Sequence, residues 1–412
     1  MADRPHRRFP ALPLLFALAA FSGNTQSNTE INVETDPGET FGDCIARLQQ
    51  QARSQGLSQH TVDEVLGQVS HSERVIELDR RQPEFAETFT NYLNKRVTDT
   101  RIERGRELLA KHQKLLLNLQ QSYGIQAHYL LAFWGLETNF GSYIGTLPVL
   151  DSLATLACDP RRGDYFASEL MNALRIVDSG IAPERMVGSW AGAMGQTQFM
   201  PSVYLRYARD GDGDGIIDLW GSSADALTSA AAFLQDLGWQ AGWRWGREVV
   251  LPEDFPFLES GSKHRLPLSA WRERKVLTTS GAQLPALDVA TAIVVPAGHR
   301  GPAFAVYDNF DVIMRWNRSE YYAIAVGHLA DRISGAGKLH QAPPTDAPRL
   351  SQEQIAPMQT TLNEGGFNAG KADGVLGPGT RAAIQRYQQA EGMIPDSYPD
   401  DRVLAGLGVP RN

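Results

Sequence analysis

The sequence predicts a mainly α-helical protein with a small strand-containing insertion and a helical C-terminal unit. Three observations support this prediction. Across residues 41–236, apolar side chains recur at helical spacing, as at Ile45 and Leu48. Across residues 248–307, short β-branched runs alternate with proline and glycine, a pattern typical of short strands. Residues 349–412 return to a helical pattern after a segment that has the composition of a linker.

The composition limits the classes of function that the chain can have. With 412 residues it is long enough for two or three domains. Its formal net charge of −8 argues against nucleic acid as a partner, because binding phosphates requires a basic surface. No segment beyond the N-terminal region is apolar for long enough to cross a bilayer, so we expect no membrane span in the mature chain.

The N-terminus has the pattern of an export signal. Arg4, Arg7 and Arg8 precede an apolar run over residues 11–21, which is shorter than the roughly 20 residues that a membrane-spanning helix needs. We therefore expect residues 1–23 to be a cleaved signal peptide and the mature protein to be periplasmic. An uncleaved anchor or a basic tail is the alternative.

Two cysteines, Cys44 and Cys158, follow this region. In an oxidising compartment they can form a disulfide, whereas two separately buried thiols are the other reading. The spacing in sequence does not decide between them, because it does not supply their geometry.

The remaining elements follow in chain order. The helical pattern that ends near residue 236 resumes over residues 319–333 after the strand-containing insertion. Residues 334–348 contain three prolines with little apolar periodicity, which indicates a linker. We therefore expect one domain over residues 41–333 and a second over residues 349–412, with helices near 351–364 and 380–390.

Glu137 is the first candidate for chemistry. It ends an apolar run that begins at Tyr129, and on a helix it shares a face with Leu130, Phe133 and Trp134. Apolar surroundings raise the pKa of a carboxyl group, which favours a general acid. A structural glutamate, satisfied by an arginine or a helix N-terminus, is the alternative.

Residues 210–218 read DGDGDGIID and match a calcium loop of the EF-hand type. The predicted oxygen ligands are Asp210, Asp212, Asp214, the carbonyl of Ile216, and Asp218. Position 12 of the loop is a glycine rather than the usual glutamate, and Asp225 is the candidate that replaces it. We expect a structural Ca²⁺, with a plain acidic turn as the alternative.

A set of longer motifs carries a family resemblance. The chain contains WGLETNFG at 134–141, PRRGDYF at 160–166, GSWAGAMGQTQFMPS at 188–202 and RWNRSEYY at 315–322. Together with the acidic loop, and in this order, they resemble the membrane-bound lytic transglycosylase B family. The resemblance implies a lysozyme-like helical catalytic domain. It also implies non-hydrolytic cleavage of the MurNAc-β-1,4-GlcNAc bond in peptidoglycan to 1,6-anhydroMurNAc ends during cell-wall turnover, without a catalytic cofactor.

The same resemblance implies the site residues. Glu137 matches the catalytic acid/base. Residues that match groove positions able to bind the sugars are Ser189, Gln198, Asn317, Tyr321, Tyr322 and, less closely, Tyr92. Arg161 and Arg162 match a pair associated with substrate carboxylates. Trp190 and Trp316 lie within the motifs, and either sugar stacking or core packing suits them.

Residues 349–412 resemble the three-helix peptidoglycan-binding domain, through the segment ADGVLGPGT at 372–380 and the helix that follows it. The match weakens after Gly392. The implied partners are peptidoglycan glycan strands, and no wall-synthesis protein is identified. Two other functions stay open at this point, a hydrolytic muramidase and a catalytically silent scaffold that binds the wall.

Overall fold

The computed structural model describes residues 39–80 and 87–410, and the predicted signal peptide therefore lies outside the described residues. Helices dominate the described chain. They are α1 (Phe41–Ser54), α2 (Glu73–Arg80), α3 (Phe89–Arg96), α4 (Asp99–Lys111), α5 (Gln113–Tyr123), α6 (Ala127–Thr138), α7 (Val149–Ala157), α8 (Gly163–Asp178), α9 (Pro201–Tyr207), α10 (Ser223–Asp236), α11 (Leu268–Glu273), α12 (Asp308–Trp316), α13 (Glu320–Ile333), α14 (Gln352–Glu364), α15 (Pro378–Ala390) and α16 (Asp401–Gly406).

Two small antiparallel sheets accompany the helices. The strands are β1 (Leu147–Pro148), β2 (Val187–Gly188), β3 (Gly246–Val250), β4 (Arg265–Pro267), β5 (Leu277–Thr278), β6 (Ala290–Val294) and β7 (Ala303–Val306). Strands β1 and β2 pair with each other, and the other five form a sheet in the order β4-β6-β7-β3-β5. The five-stranded sheet and α11 form the insertion that the β-branched runs predicted.

The apolar side chains of the first domain form two large clusters. One surrounds α6 and includes residues of α4, α10 and α13, and the other brings together α1, α7 and α8. Helix α6 has nine of its twelve residues buried, which fits a helix that is apolar on all sides. Trp316 packs against both clusters, so the end of α12 lies at the seam between them.

Cys44 of α1 and Cys158, which follows α7, are joined by a disulfide with their Cα atoms 5.9 Å apart. The structure thus agrees with the first of the two readings of these cysteines. The bond ties the first helix of the domain to the cluster around α7.

The predicted linker has neither helix nor strand, yet it is held against the insertion. Glu248 of β3 accepts hydrogen bonds from the backbone N–H groups of His340 and Gln341, each at 2.7 Å. Arg300 forms an ion pair with Asp346 at 2.7 Å. The chain therefore reaches α14 along a defined path.

Helices α14, α15 and α16 enclose a core of their own, and the C-terminal domain contacts the insertion through hydrogen bonds. The contact includes the loop of Gly298 and His299 on one side and Asp396 on the other, and we call it the docking interface. His299 donates its backbone N–H to Asp396 Oδ2 at 2.8 Å, and its ring Nδ1 lies 2.6 Å from the same atom. Gly298 has a φ of 69°, and a Cβ there would lie 2.6 Å from Asp396 Oδ2.

The structure confirms the predicted fold class, a helical domain with a strand-containing insertion and a three-helix C-terminal domain. Among the helices of the described chain, none combines the length and the apolar character that crossing a membrane requires.

Candidate active site

Glu137 lies in the last turn of α6, and its side chain is buried with 4% of the residue exposed. The helix ends at Asn139, whose backbone is left-handed with a φ of 50°. Thr138 donates its hydroxyl to the carbonyl of Gln196 at 2.8 Å, which ties this end of α6 to the loop that follows β2. The local sequence therefore ends the helix directly after the carboxyl group and fixes it to a second segment.

Two donors hold one oxygen of this carboxyl group. The indole N–H of Trp316 donates to Glu137 Oε1 at 2.9 Å, and the hydroxyl of Tyr322 donates to the same atom. Within the described residues, Oε2 accepts no hydrogen bond from the protein. The two oxygens are thus different: Oε1 is anchored and Oε2 is available.

The environment moves the pKa of Glu137 up to about 7. Burial is the main cause, because it disfavours the charged carboxylate, whereas the hydrogen bonds from Tyr322 and Trp316 act in the opposite direction. Burial and the neighbouring Glu137 also raise the pKa of the Tyr322 hydroxyl, so this group stays a hydrogen-bond donor. A carboxyl group with a pKa near neutrality can both give and take a proton.

Glu137 opens into a cavity of about 380 Å³. The residues that line it come mainly from α8, α9, α10, α12 and the loop before α9, and they include Tyr165, Glu169, Gln198, Ser202, Arg206, Asp236, Arg315, Trp316 and Asn317. Apolar walls with a few polar groups are typical of ligand sites.

Three of the predicted groove residues belong to this part of the molecule. Gln198 lines the cavity and donates its amide to the carbonyls of Gly195 and Ile144, at 2.9 and 3.1 Å. Asn317 also lines the cavity. Ser189 does not, and its hydroxyl accepts from the backbone N–H of Ala193 at 3.1 Å within the loop.

The structure separates the two adjacent tyrosines. Tyr322 holds Glu137, whereas the hydroxyl of Tyr321 lies 3.1 Å from Arg381 of the C-terminal domain. Tyr92 packs beside Tyr321 with ring centroids 5.9 Å apart. Burial raises the pKa of Tyr92 to about 12, and the nearby charge of Glu137 adds to the effect.

Arg161 and Arg162, the predicted carboxylate-binding pair, both contact the buried Asp79. Arg161 Nη1 lies 3.4 Å from Asp79 Oδ2, and Arg162 forms a closer ion pair with Oδ1. Neither arginine lines the cavity of Glu137.

The predicted calcium ligands divide into two groups. Asp210, Asp212 and Asp214 each offer a carboxylate oxygen, and these oxygens lie within 4.8 Å of one another. Backbone N–H groups of Gly215 and Gly213 hold Asp210 and lower its pKa. This donor set of hard oxygens fits Ca²⁺.

Asp218 and Asp225 have other partners. Asp218 forms an ion pair with Arg185 at 2.5 Å. Asp225 is fully buried, and its two oxygens accept from the backbone N–H groups of Gly211 and Asp218 at 2.8 and 2.7 Å. Asp225 is therefore tied to the loop at both of its carboxylate oxygens.

The sequence did not predict a hydrogen bond between Trp316 and Glu137, and it did not identify Glu169 as a residue of the site. Trp316 has Phe133, Phe199 and Phe233 around its ring, with centroids 4.6 to 5.6 Å away. The position of Trp316 next to Asn317 in the motif indicated that it lies near the site, but it did not indicate that Trp316 bonds to Glu137. Glu169 accepts from the Ser202 hydroxyl and backbone N–H at 2.6 and 2.9 Å.

Comparison with known proteins gives the family. Residues 40–331 match the family described as Transglycosylase SLT domain, and residues 351–407 match a peptidoglycan binding domain. The chain is 30% identical over 296 residues to membrane-bound lytic murein transglycosylase B of Escherichia coli K12, covering 68% of this chain and 79% of the relative.

Solved structures agree. SltB3 from Pseudomonas aeruginosa, in complex with NAG-anhNAM-pentapeptide, is 40% identical with a TM-score of 0.87, covering 90% of this chain and all of that one. The Escherichia coli lytic transglycosylase Slt35, in complex with calcium, is 28% identical with a TM-score of 0.61, covering 71% of this chain and 93% of that one. The buried acid, its cavity and these matches lead to one conclusion: the chain belongs to the Transglycosylase SLT domain family and is a lytic transglycosylase that acts on peptidoglycan.

Proposed function

We propose that Glu137 is the single general acid/base of this enzyme. The observation that carries the proposal is the asymmetric carboxyl group, anchored at Oε1 by Trp316 and Tyr322, with Oε2 free toward a cavity of about 380 Å³. Its pKa of about 7 keeps a substantial protonated fraction at neutral pH.

The reaction proceeds in two proton transfers. Glu137 Oε2 first gives its proton to the oxygen that links MurNAc to GlcNAc, and the bond from that oxygen to the anomeric carbon breaks. The N-acetyl oxygen of MurNAc stabilises the anomeric carbon. The carboxylate of Glu137 then takes the proton from the C6 hydroxyl as the C6 oxygen bonds to the anomeric carbon, which gives a 1,6-anhydroMurNAc end and restores the acid.

A single-carboxylate mechanism is supported by the state of the other acidic groups in the cavity. Hydrolytic glycosidases normally use two carboxyl groups across the bond. Glu169 is bound to Ser202 through both oxygens, and Asp236 accepts from the hydroxyl of Tyr207 and pairs with Arg206 at 3.4 Å. Each therefore has a structural partner already.

We assign roles in substrate binding to the polar groups near the acid. The side-chain amide N–H₂ of Gln198 is bound to the protein, so its oxygen is the group that accepts from sugar hydroxyl or amide donors. Asn317 accepts from Ser319 N–H at 3.2 Å through Oδ1, which leaves its amide N–H₂ as a donor. Ser189 and Tyr92 act at the edges of this groove, and Arg161 and Arg162 meet carboxylates beyond it.

Asp210, Asp212 and Asp214 hold a structural Ca²⁺, with the Ile216 carbonyl, Asp218 and Asp225 as the remaining ligands. Three clustered carboxylates repel one another, and a divalent cation relieves that repulsion. The calcium complex of Slt35 supports this assignment.

The two domains have different roles. Residues 41–333 form the catalytic domain, residues 334–348 the linker and residues 349–412 the wall-binding domain, after export of the chain to the periplasm by a signal peptide at 1–23. The peptidoglycan binding domain match at 351–407 supports the role of the last domain. Glycan strands are the partner of both domains.

The test is product mass after digestion of purified sacculi. We expect anhydro-ended muropeptides, which are lighter by one water than the products of a muramidase. Glu137→Gln should remove nearly all activity, since general acid/base catalysis contributes about 10²–10⁴-fold. Glu107→Gln, at an exposed glutamate on α4, is the matched control. Products with a reducing MurNAc end would support a muramidase, and no products at all would support a scaffold.

A further inference from the structure

The docking interface reaches the active site through the first turn of α13. Tyr321 and Tyr322 are consecutive residues of this turn. Tyr322 donates to Glu137, and Tyr321 donates its hydroxyl to the carbonyl of Pro296 at 3.3 Å and accepts from Arg381 Nη2 at 3.1 Å. One short piece of backbone thus connects the catalytic carboxyl group to the C-terminal domain.

Arg381 contacts Tyr321 in two ways. Besides the hydrogen bond, its guanidinium lies 5.9 Å from the centre of the Tyr321 ring, within the range of a cation–π contact. The charge of Glu320, on the same turn of α13, attracts it as well and contributes to raising its pKa. Arg381 is half-buried, so solvent screens these contacts less than it would on an open surface.

Tyr321 has no room to move independently of its turn. Its ring packs against Phe89 and Tyr92, with centroids 5.4 and 5.9 Å away. The turn itself is fixed by Ser319, whose hydroxyl accepts from the Tyr322 backbone N–H at 3.3 Å. A displacement of Tyr321 is therefore passed to Tyr322 through the rigid helical backbone.

We propose that the docked C-terminal domain is a positioning element for catalysis, in which Arg381 fixes Tyr321 and so places the Tyr322 hydroxyl on Glu137. Arg381 is a positioning residue, since it acts through Tyr321 and Tyr322. This inference rests on the proposed role of Glu137 as the acid. It gives the wall-binding domain a part in bond cleavage in addition to holding the enzyme on its substrate.

The experiment is Arg381→Met in the full mature chain, assayed on a short soluble glycan so that wall binding does not contribute. We expect kcat to fall about tenfold with KM nearly unchanged, since small misplacements of catalytic groups cost up to ~10²-fold. The alkaline limb of the kcat profile should move to higher pH, because a loosened Tyr322 stabilises the Glu137 carboxylate less. Arg386→Met is the control, at an exposed arginine of α15 that bonds Phe367 and Asn368 within its own domain.

A second variant is designed to loosen the docking interface without changing Arg381. Gly298→Ala places a Cβ within 2.6 Å of Asp396 Oδ2, whereas Gly281→Ala imposes a similar positive φ with no atom within 4 Å. Gly298→Ala should reproduce the loss in kcat and the shift of the pH limb, and Gly281→Ala should not. Melting curves and small-angle scattering identify which variants are folded and which are undocked.

The outcomes separate the two proposals. Wild-type kcat and pH profile in a folded, undocked variant would overturn the positioning role, while inactive Glu137→Gln would leave the proposed function standing. Full activity of Glu137→Gln would overturn both.

Discussion

Trp316 and Glu137 lie 179 positions apart in the sequence, yet the indole N–H of one donates to the carboxyl oxygen of the other at 2.9 Å. Three phenylalanine rings pack around the indole that supplies this donor. The acid therefore depends on a tryptophan that joins the two large apolar clusters of the domain.

Replacing Trp316 with phenylalanine should raise the pKa of Glu137. The indole N–H stabilises the carboxylate, so its loss favours the protonated acid. Activity that needs the protonated acid should then persist to higher pH than in the wild type, whose alkaline limb we expect near pH 7. The measurement is kcat against pH on a soluble glycan. Trp271→Phe removes an indole bond to the Thr291 carbonyl in the insertion and should leave the limb in place; an equal shift in both variants would count against the bond to Glu137.

Calcium should stabilise the fold. Mass action predicts about 2.7 kcal/mol when free Ca²⁺ is about 100 times its Kd. We expect a higher melting temperature on addition of Ca²⁺ after chelation, and no such shift in Asp212→Ala. Asp63→Ala, at a carboxylate that pairs with Arg53 away from the loop, should retain the shift. A wild type that melts at the same temperature with and without Ca²⁺ would rule the site out.

Reduction of the Cys44–Cys158 bond should lower stability. The bond closes a loop with a sequence separation of 114, and the chain-entropy relation gives a contribution of about 4–5 kcal/mol for loops of this size. Denaturant unfolding of wild type and of the Cys44→Ala/Cys158→Ala variant, each with and without reductant, measures it. The reductant should affect only the wild type, and equal unfolding midpoints for all four samples would show that the bond contributes nothing.

The docking interface should be pH-dependent. The hydrogen bond to Asp396 raises the pKa of His299. Burial alone would raise the pKa of Asp396, but the hydrogen bonds from His299 bring the pKa of Asp396 below its ordinary value. The stability that His299 contributes to the folded protein is therefore fully present below about pH 6.5 and is lost as the pH rises through the pKa of His299 in the folded state. The stability that Asp396 contributes is lost as the pH falls through its lowered pKa. The melting temperature of wild type minus that of Asp396→Asn should be largest near pH 5 to 6, and a flat difference from pH 5 to 9 would contradict the pairing.

Removal of residues 349–412 should weaken sedimentation of the enzyme with sacculi, because the second domain raises the effective concentration of the first on the wall. Arg381→Met should still sediment while cleaving slowly, and this contrast distinguishes wall binding from positioning. Undiminished sedimentation of the truncated chain would place the wall-binding surface in the catalytic domain.

Glu137 was predictable as the candidate acid mainly from the long motifs around it, because the lone carboxyl group in an apolar run by itself left a structural glutamate open. The sequence could not show which of Tyr321 and Tyr322 bonds to Glu137. Consecutive residues of a helix point about 100° apart, and only the packing shows which one reaches Glu137. Asp225 was a candidate calcium ligand from its position after the loop and from the family resemblance. Its burial in the first turn of α10 and its hydrogen bonds to two backbone N–H groups of the loop could not be predicted from the sequence, because they depend on how α10 packs against the loop.

No periodic pattern in the sequence predicted that the C-terminal domain contacts the insertion. It depends on single contacts between remote residues, such as His299 with Asp396, and on a linker whose backbone is held by Glu248. Such contacts depend on the shapes of two finished surfaces, which neither hydrophobic periodicity nor a motif describes.

Gly298 has an evolutionary consequence. Asp396 Oδ2 and the Tyr398 side chain occupy the space that any side chain at position 298 would need. A homologous enzyme with the same two domains but a larger residue at the aligned position needs either a shift of Asp396 and Tyr398 or a different arrangement of the domains. The residue at this position therefore indicates which two-domain relatives can keep the same contact between their domains.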